Sequence, residues 1–223
     1  MTRFFLTVEG VEGSGKTTQA LRLAEKLRSS GVQHVLTKEP GGTPLADRIR
    51  SILLDPHEEG MDAMTELFLY AASRRQHVTE IIRPSLETGV MVLSDRFTDA
   101  TLAYQGFGRL LELDRLRTIN DWATDGIRPD LTLLYDLPET TGLERARARN
   151  SASEQLMTES RLEGEDLLFH RRVREGYLSL AEAEPERFAV IDASGSIDEV
   201  FRRTTEEIAR RAPAIRLDGD SAG

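Results

Sequence analysis

Residues 10–17, GVEGSGKT, constrain the fold of this chain more than any other segment. They match the pattern G-x-x-x-x-G-K-[ST] at every position, and they lie between an apolar run and a helical pattern. The glycines let successive backbone N–H groups turn toward phosphate oxygens, and the N-terminus of the following helix adds partial positive charge. Lys16 can reach the terminal phosphates, and the Thr17 hydroxyl can hold Mg²⁺. We therefore predict a site for a nucleoside triphosphate.

Five short apolar runs indicate strands, and helical patterns separate each run from the next. The predicted strands are residues 4–8, 34–37, 90–93, 131–135 and 188–191. Amphipathic patterns over 17–30, 45–54 and 61–86 predict helices, and Pro84 is expected to kink or end the last of these. Apolar strands with helical crossovers favour a parallel sheet covered on both faces. Together with the phosphate motif, this predicts an α/β P-loop NTPase fold.

The composition limits the classes of protein that remain. The chain has 223 residues, a formal net charge of −9 and no cysteine. This length suggests one domain, which we predict to span residues 1–212. The lack of cysteine excludes a disulfide scaffold, no apolar run is long enough to span a membrane, and the net charge disfavours nucleic acid. We expect a cytoplasmic protein without nucleic-acid or membrane partners.

Two segments are expected to be mobile. Residues 150–166 are polar, weakly periodic and long for a connection, so we predict a mobile lid there. Residues 213–223 are predicted to form a flexible C-terminal tail.

A carboxylate at the end of the third predicted strand indicates a Mg²⁺ site. Asp95 occupies the place where an acid associated with Mg²⁺ is expected in such folds, so we assign the metal site to Thr17 and Asp95. No N-K-x-D segment is present, which weakens a GTPase specific for guanine. Two classes stay open: a small kinase with a bound acceptor, and a P-loop switch or regulatory ATPase. A kinase needs a second anion or hydroxyl site and a way to exclude water, and hence further arginines and a lid.

Residues 95–106, DRFTDATLAYQG, resemble the D-R-[YFH]-x-x-S-x-x-A-Y-Q-G segment of bacterial thymidylate kinases. Further matches lie in order along residues 4–208. They are EPGGT at 39–43, AASRRQH at 71–77, RPDLT at 128–132, RLE at 161–163, FH at 169–170 and GY at 176–177. The resemblance implies a P-loop nucleoside monophosphate kinase that transfers the γ-phosphoryl group of ATP to dTMP, giving ADP and dTDP in dTTP synthesis. It also implies Mg²⁺ as cofactor and a homodimer.

The resemblance implies a role for each matching residue of the acceptor site. Glu12 and Glu39 would lie near the 3′-hydroxyl of the sugar, and Tyr104 would lie against its 2′ carbon. The thymine ring would stack on Tyr70 and pair with Gln105. Thr101 would occupy the small polar position near Gln105. Three arginines would surround the acceptor phosphate, because a guanidinium fork can meet two of its oxygens at once. They are Arg50, Arg74 and Arg96.

The resemblance also assigns the donor site and the catalytic residues. The ATP-binding residues are Gly10, Glu12, Gly13, Ser14, Gly15, Lys16, Thr17 and Thr18. The catalytic residues are Lys16, Asp95, Arg96, Arg149 and Arg161. The last two are implied by the resemblance to family members whose phosphate loop lacks a basic residue at the position of Glu12. In those members, lid arginines supply positive charge to the transferring phosphoryl group. Arg145 and Arg147, on the helix before the lid, are further candidates.

Two positions depart from the family pattern. Phe97 replaces the commoner tyrosine, and Lys38 stands where arginine is usual, which keeps the charge but loses the fork.

Three alternatives stay open beside a thymidylate kinase. A kinase for another nucleoside monophosphate would keep Lys16 and Arg96 but tolerate changes at Gln105 and Tyr70. A deoxynucleoside kinase would accept thymidine itself and would need a carboxylate base for the 5′-hydroxyl. A non-catalytic or switch-type P-loop protein would bind ATP without consuming dTMP.

Overall fold

A computed structural model describes residues 3–55, 57–58, 60–151, 162 and 164–217. Its strands are β1 (Phe5–Glu9), β2 (His34–Lys38), β3 (Met91–Asp95), β4 (Leu131–Asp136) and β5 (Phe188–Asp192). They form one parallel sheet in the order β2-β3-β1-β4-β5. The five predicted strands and the α/β architecture are therefore confirmed.

Helices connect the strands. Before β3 they are α1 (Lys16–Ser29), α2 (Pro44–Leu54), α3 (Ala63–His77) and α4 (Arg83–Glu87). After β3 they are α5 (Thr98–Thr101), α6 (Leu113–Thr124), α7 (Glu139–Ser151), α8 (Leu167–Ala183) and α9 (Ile197–Arg211). Across the described ranges, no helix combines the length and the apolar character needed to cross a bilayer.

Alternate residues of the strands face opposite sides of the sheet, and both sides are covered. Leu6 and Leu93 pair across β1 and β3 and belong to the larger core cluster. Phe5 and Val92 pair one residue earlier and belong to a second cluster under the π turn after α3. Phe97 completes that second cluster, with its ring edge-on to Phe5 at 4.9 Å between centroids. The phenyl ring at 97 thus serves packing.

The helix predicted over residues 61–86 forms, but Pro84 does not end it. α3 passes into one π-helical turn (Val78–Ile82), after which α4 continues to Glu87. Pro84 lies in the first turn of α4, directly after the π turn has changed the hydrogen-bond register. Because the register changes there, the missing N–H of proline is tolerated.

The C-terminal segment packs against the core over the part that is described. Ile215 and Leu217 are each only 7% exposed and belong to the larger core cluster. The Ser30 hydroxyl donates to the carbonyl oxygen of Leu217 at 2.9 Å. The segment predicted to be a flexible tail, residues 213–223, therefore packs against the core as far as Leu217, through these two apolar side chains. Residues 218–223 lie outside the described ranges.

A carboxyl group is buried where β1 ends. Glu9 is fully buried, and its two oxygens accept the N–H of Phe97 and the hydroxyl of Tyr177, each at 2.7 Å. Burial, reinforced by nearby Asp99, raises the pKa of Glu9 to about 8, although Arg96 and the two hydrogen bonds act in the opposite direction. This carboxyl group joins β1 to the segment after β3 and to α8.

We predict that Glu9→Gln gains stability relative to the wild type as the pH rises from about 4.5 to about 8. The unfolded chain ionises Glu9 near its ordinary pKa of 4.5, whereas the folded protein retains the proton up to about 8. Because the folded state then binds more protons, the free energy of unfolding of the wild type falls with rising pH, and an amide contributes nothing to that fall. Urea unfolding of both proteins at about pH 5 and about pH 8 measures this. A difference between the two proteins that is independent of pH would contradict the raised pKa.

Candidate active site

The phosphate loop forms between β1 and α1, as its sequence predicts. Gly10, Gly13 and Gly15 have φ angles of 149°, 69° and 82°, which only glycine adopts at little cost. α1 begins at Lys16, whose side chain is buried with Nζ 3.7 Å from Oε2 of Glu12. The loop thus combines glycine-permitted backbone turns, a helix N-terminus and a buried cation, an arrangement that can bind an anion.

The phosphate loop lies against α7 with no room for a side chain between them. A Cβ atom added to Gly13 would overlap the carbonyl group of Gly142, and one added to Gly142 would overlap the carbonyl oxygen of Glu12. α7 is also the helix that leads into the predicted lid. The phosphate loop and α7 are thus in direct backbone contact.

Thr17 and Asp95 meet at the carboxyl edge of the sheet. The Thr17 hydroxyl donates to Oδ2 of Asp95 at 2.5 Å, because β1 and β3 are parallel neighbours that end side by side. Among the described residues, Oδ1 of Asp95 and Oγ of Ser14 are buried without a hydrogen-bond partner. A hydroxyl beside a carboxylate oxygen that lacks a donor suits a hard cation such as Mg²⁺.

Arg96 follows Asp95 in a strained backbone conformation. Its φ angle of 73° lies in the left-handed region, which costs a residue with a side chain about 1 kcal/mol or more. Two hydrogen bonds hold it there: the Ser94 hydroxyl donates to the Arg96 carbonyl at 2.8 Å, and the N–H of Phe97 donates to Glu9 at 2.7 Å. The side chains of Asp95 and Arg96 both line one cavity at this edge of the sheet.

Glu12 links the phosphate loop to Arg96. Its Oε1 accepts from Nη2 of Arg96 at 2.8 Å and from the Tyr104 hydroxyl at 2.9 Å, and the guanidinium lies 4.7 Å from the centre of the Tyr104 ring. Burial opposes ionisation of Glu12, but the charges of Arg96 and Lys16 and the Tyr104 hydrogen bond outweigh it and lower its pKa to about 2. Glu12 therefore lines the cavity as a charged carboxylate.

Arg74 is 2% exposed, and its guanidinium joins four parts of the chain. Nε donates to Glu39 at 2.7 Å, Nη1 donates to Thr101 at 3.0 Å and to Asn120 at 2.6 Å, and Nη2 donates to the Phe97 carbonyl at 3.1 Å. These bonds use four of the five N–H donors of a guanidinium. The fifth donor, on Nη2, has no hydrogen bond among the described residues, and Arg74 lines the cavity.

Glu39 is held as a carboxylate by two neighbours. Its Oε2 accepts from Arg74, and its Oε1 lies 2.9 Å from Nδ1 of His77, whose other ring nitrogen lies 2.6 Å from the Thr37 hydroxyl. Burial opposes ionisation of Glu39, but the charge of Arg74 and the contact with His77 outweigh it, so the pKa of Glu39 lies below its ordinary value.

A π-helical turn after α5 (Leu102–Gly108) forms one wall of the cavity. Its i→i+5 bond runs from the N–H of Arg109 to the carbonyl of Tyr104 at 2.8 Å. Turns of this kind are frequent at functional sites. Here it brings Tyr104 and Gln105 to the cavity, next to Thr101 at the end of α5, and each of the three side chains is buried.

The predicted acceptor residues all line a single cavity. They are Glu12, Glu39, Arg50, Tyr70, Arg74, Arg96, Thr101, Tyr104 and Gln105. Lys16, Thr17 and Asp95 line the same cavity, so the phosphate loop and the predicted acceptor site open into one space. Lys38, at the end of β2, and Leu162, from the predicted lid, also contribute to its wall.

The arginines assigned to the lid are not among the side chains that the structure describes. Arg161 lies outside the described residues, and so does the side chain of Arg149. Arg145, one turn earlier on α7, donates to the carbonyl of Ala193 at 3.3 Å, which holds its guanidinium near the end of β5.

Sequence reasoning missed three buried polar residues that support the site. His77 and Asn120 hold Glu39 and Arg74, but no local pattern connects Asn120 of α6 with a residue 46 positions away. Glu66, in contrast, could have been found from its spacing in the sequence. With Tyr70 and Arg74 it forms an i, i+4, i+8 series, which places all three on one face of α3.

Known proteins of one family match nearly the whole chain. A family model described as thymidylate kinase matches residues 8–204. The thymidylate kinase of Geobacter sulfurreducens is 53% identical over 210 residues, covering 94% of this chain and 98% of that protein. That of Desulfovibrio desulfuricans is 54% identical over 210 residues, covering 93% and 97%. A crystal structure of thymidylate kinase from Ehrlichia chaffeensis matches with a TM-score of 0.74 and 35% identity, covering 92% of this chain and 97% of that chain.

We predict that Gly142→Ala lowers kcat/KM for ATP by at least about tenfold, because the added methyl group displaces the phosphate loop from α7 and misaligns its N–H groups. Steady-state kinetics with varied ATP measures the effect. Gly60→Ala is the matched control, since a Cβ atom there meets nothing within 4 Å. Equal kinetics for Gly142→Ala and the wild type would show that the contact does not set the loop position.

Proposed function

The chain belongs to the thymidylate kinase family, and we propose that it binds dTMP in the cavity between the phosphate loop and Arg74. As a member of that family it is a phosphotransferase that uses ATP, and the reaction yields ADP and dTDP. Arg74, Arg96 and Arg50 would surround the acceptor phosphate. Tyr70, Thr101, Tyr104 and Gln105 would hold its nucleoside, with Glu12 and Glu39 near the sugar.

One observation carries this proposal. Asp95 and Arg96 are consecutive residues, yet Asp95 contacts Thr17 of the phosphate loop while Arg96 lines the cavity toward Tyr104. The left-handed backbone at Arg96 would therefore set the proposed donor and acceptor sites side by side. Transfer between two bound phosphates depends mainly on such positioning and on charge neutralisation.

We propose Mg²⁺ as the cofactor, held by Thr17 and Asp95. Among the described residues, no group of three or more His, Cys, Asp or Glu side chains could hold a metal ion by itself. A cation at Thr17 and Asp95 would therefore complete its coordination with water and phosphate oxygens, as Mg²⁺ commonly does. When bound, Mg²⁺ would neutralise charge on the donor phosphates.

The chain's own residues would carry the remaining steps. The loop N–H groups and Lys16 would bind the donor phosphates, and Arg96 would orient the acceptor. A phosphate monoester is already nucleophilic near neutral pH, so no side chain is required as a general base. Arg149 and Arg161 would add positive charge when the lid excludes water, which favours transfer over hydrolysis.

We further propose a cytoplasmic homodimer with no nucleic-acid or membrane partner. Apolar side chains on three neighbouring helices support the dimer: Ile52 of α2 is 48% exposed, Phe68 of α3 is 56% exposed and Trp122 of α6 is 76% exposed. The net charge of −9 disfavours non-specific binding to nucleic acid and to anionic lipid surfaces. Light scattering should give twice the mass of one chain, and the mass of a single chain would contradict the dimer.

We predict that Lys16→Ala and Arg96→Ala each lower kcat by about 10²–10³-fold, because each removes a cation aimed at charge that develops during transfer. Steady-state assays give the effect, and circular dichroism checks that the fold is retained. Lys26→Ala and Arg28→Ala, both on the last turn of α1, are matched controls that should keep wild-type kcat. Near-normal turnover in Lys16→Ala or Arg96→Ala would remove that residue from the catalytic set.

Measuring ADP release with one acceptor at a time tests the proposed function. The acceptors are dTMP, dUMP, UMP, CMP, AMP, GMP and thymidine, each with ATP and Mg²⁺. We expect release with dTMP to exceed that with every other acceptor. A different preferred monophosphate would overturn the acceptor assignment, preference for thymidine would indicate a deoxynucleoside kinase, and equal release without any acceptor would indicate an ATPase.

A further inference from the structure

Gln105 lies on the π turn and lines the proposed acceptor cavity, and the nitrogen of its side-chain amide is already hydrogen-bonded within the protein. Nε2 of Gln105 donates to Oε1 of Glu66 at 2.7 Å. Gln105 is 1% exposed and lines the cavity, whereas Glu66 is fully buried behind it. Because the amide nitrogen is directed at Glu66, the amide oxygen is the end left to contact a ligand in the cavity.

The carboxylate of Glu66 also accepts hydrogen bonds from Arg109. Arg109 donates to both of its oxygens, from Nε at 3.5 Å and from Nη2 at 3.2 Å. Nη1 of Arg109 pairs with Glu165 at 2.6 Å, and its guanidinium lies 5.0 Å from the centre of the Phe169 ring. A carboxylate paired with a guanidinium can only accept hydrogen bonds. The amide of Gln105 therefore cannot reverse its two ends without placing an oxygen against a carboxylate.

We propose that Glu66 is a positioning residue that fixes the amide of Gln105 and thereby selects the acceptor base. This inference rests on the proposed dTMP site. Thymine carries a hydrogen-bond donor at N3, whereas cytosine carries an acceptor at the same position. A fixed amide oxygen accepts from the first and repels the second, and a buried polar group left unpaired makes such discrimination large.

The substitution Glu66→Gln tests this with little change of shape. An amide at position 66 would direct its oxygen to Arg109 and its nitrogen to Gln105, which would then turn its own nitrogen toward the cavity. We expect the ratio of kcat/KM for dTMP to kcat/KM for dCMP to fall by at least about tenfold. Glu165→Gln is the matched control, because it removes the other carboxylate from Arg109 but leaves Glu66 in place, so the ratio should stay at the wild-type value.

Repeating the Glu66→Gln substitution in a protein that carries Gln105→Leu distinguishes base selection from a general loss of structure. Gln105→Leu should lower the ratio by itself, and adding Glu66→Gln to it should change the ratio no further, because the amide is absent. A merely structural role of Glu66 would lower kcat/KM for both acceptors equally and leave the ratio unchanged. Should Glu66→Gln fail to fold, Glu66→Met combined with Arg109→Met removes the carboxylate and its cation together and should lower the ratio in the same way.

The possible results are distinct. A fall in the ratio with Glu66→Gln that disappears in the Gln105→Leu background supports the proposal. A fall with Gln105→Leu but not with Glu66→Gln overturns the role of Glu66 and leaves the proposed acceptor site intact. An unchanged ratio with Gln105→Leu removes Gln105 as the residue that contacts the base, and with it both assignments.

Discussion

The buried guanidinium of Arg74 is the interaction on which the cleft depends. It ties Glu39 at the end of β2, Phe97 after β3, Thr101 at the end of α5 and Asn120 of α6 to one side chain of α3. Removing one partner of such a buried ion pair typically costs about 3–5 kcal/mol, because the other charge is left uncompensated. The network therefore holds four separate segments at fixed distances, and an anion that enters the cavity meets a donor already in place.

The parallel sheet explains why the two halves of the site are adjacent. The carboxyl ends of β1 and β3 lie side by side, so the phosphate loop that follows β1 and the Asp95–Arg96 pair at the end of β3 share one edge. Glu12 then joins them with a short ion pair to Arg96. Its low pKa follows from this pairing, so the carboxylate stays charged throughout the neutral range. The same carboxylate lies 3.7 Å from Nζ of Lys16 and so links Lys16 to Arg96.

The strands and the phosphate loop could be predicted from the sequence, because each depends on a pattern of neighbouring residues. Apolar runs predict the strands, and the glycine-rich motif predicts a loop whose conformation only glycine adopts easily. Features that depend on contacts between distant segments were not predictable in this way. The fit of Gly142 against the phosphate loop, the contact of Asn120 with Arg74 and the packing of Leu217 all join residues without a shared local pattern. Glu66 is intermediate, since its helical spacing from Arg74 is visible but its partner on the π turn is not.

A crystal structure of the protein with dTMP and a non-hydrolysable ATP analogue would show whether the buried Arg74–Glu39 pair builds the acceptor site. We expect the acceptor phosphate to lie within hydrogen-bond distance of Arg74 and Arg96, while the Arg74–Glu39 pair stays at its present 2.7 Å. We also expect the analogue's phosphates to lie in the loop of residues 10–17. A dTMP phosphate bound away from Arg74, or an Arg74 that leaves Glu39 to reach it, would contradict the claim that the acceptor site is built in advance by this buried pair.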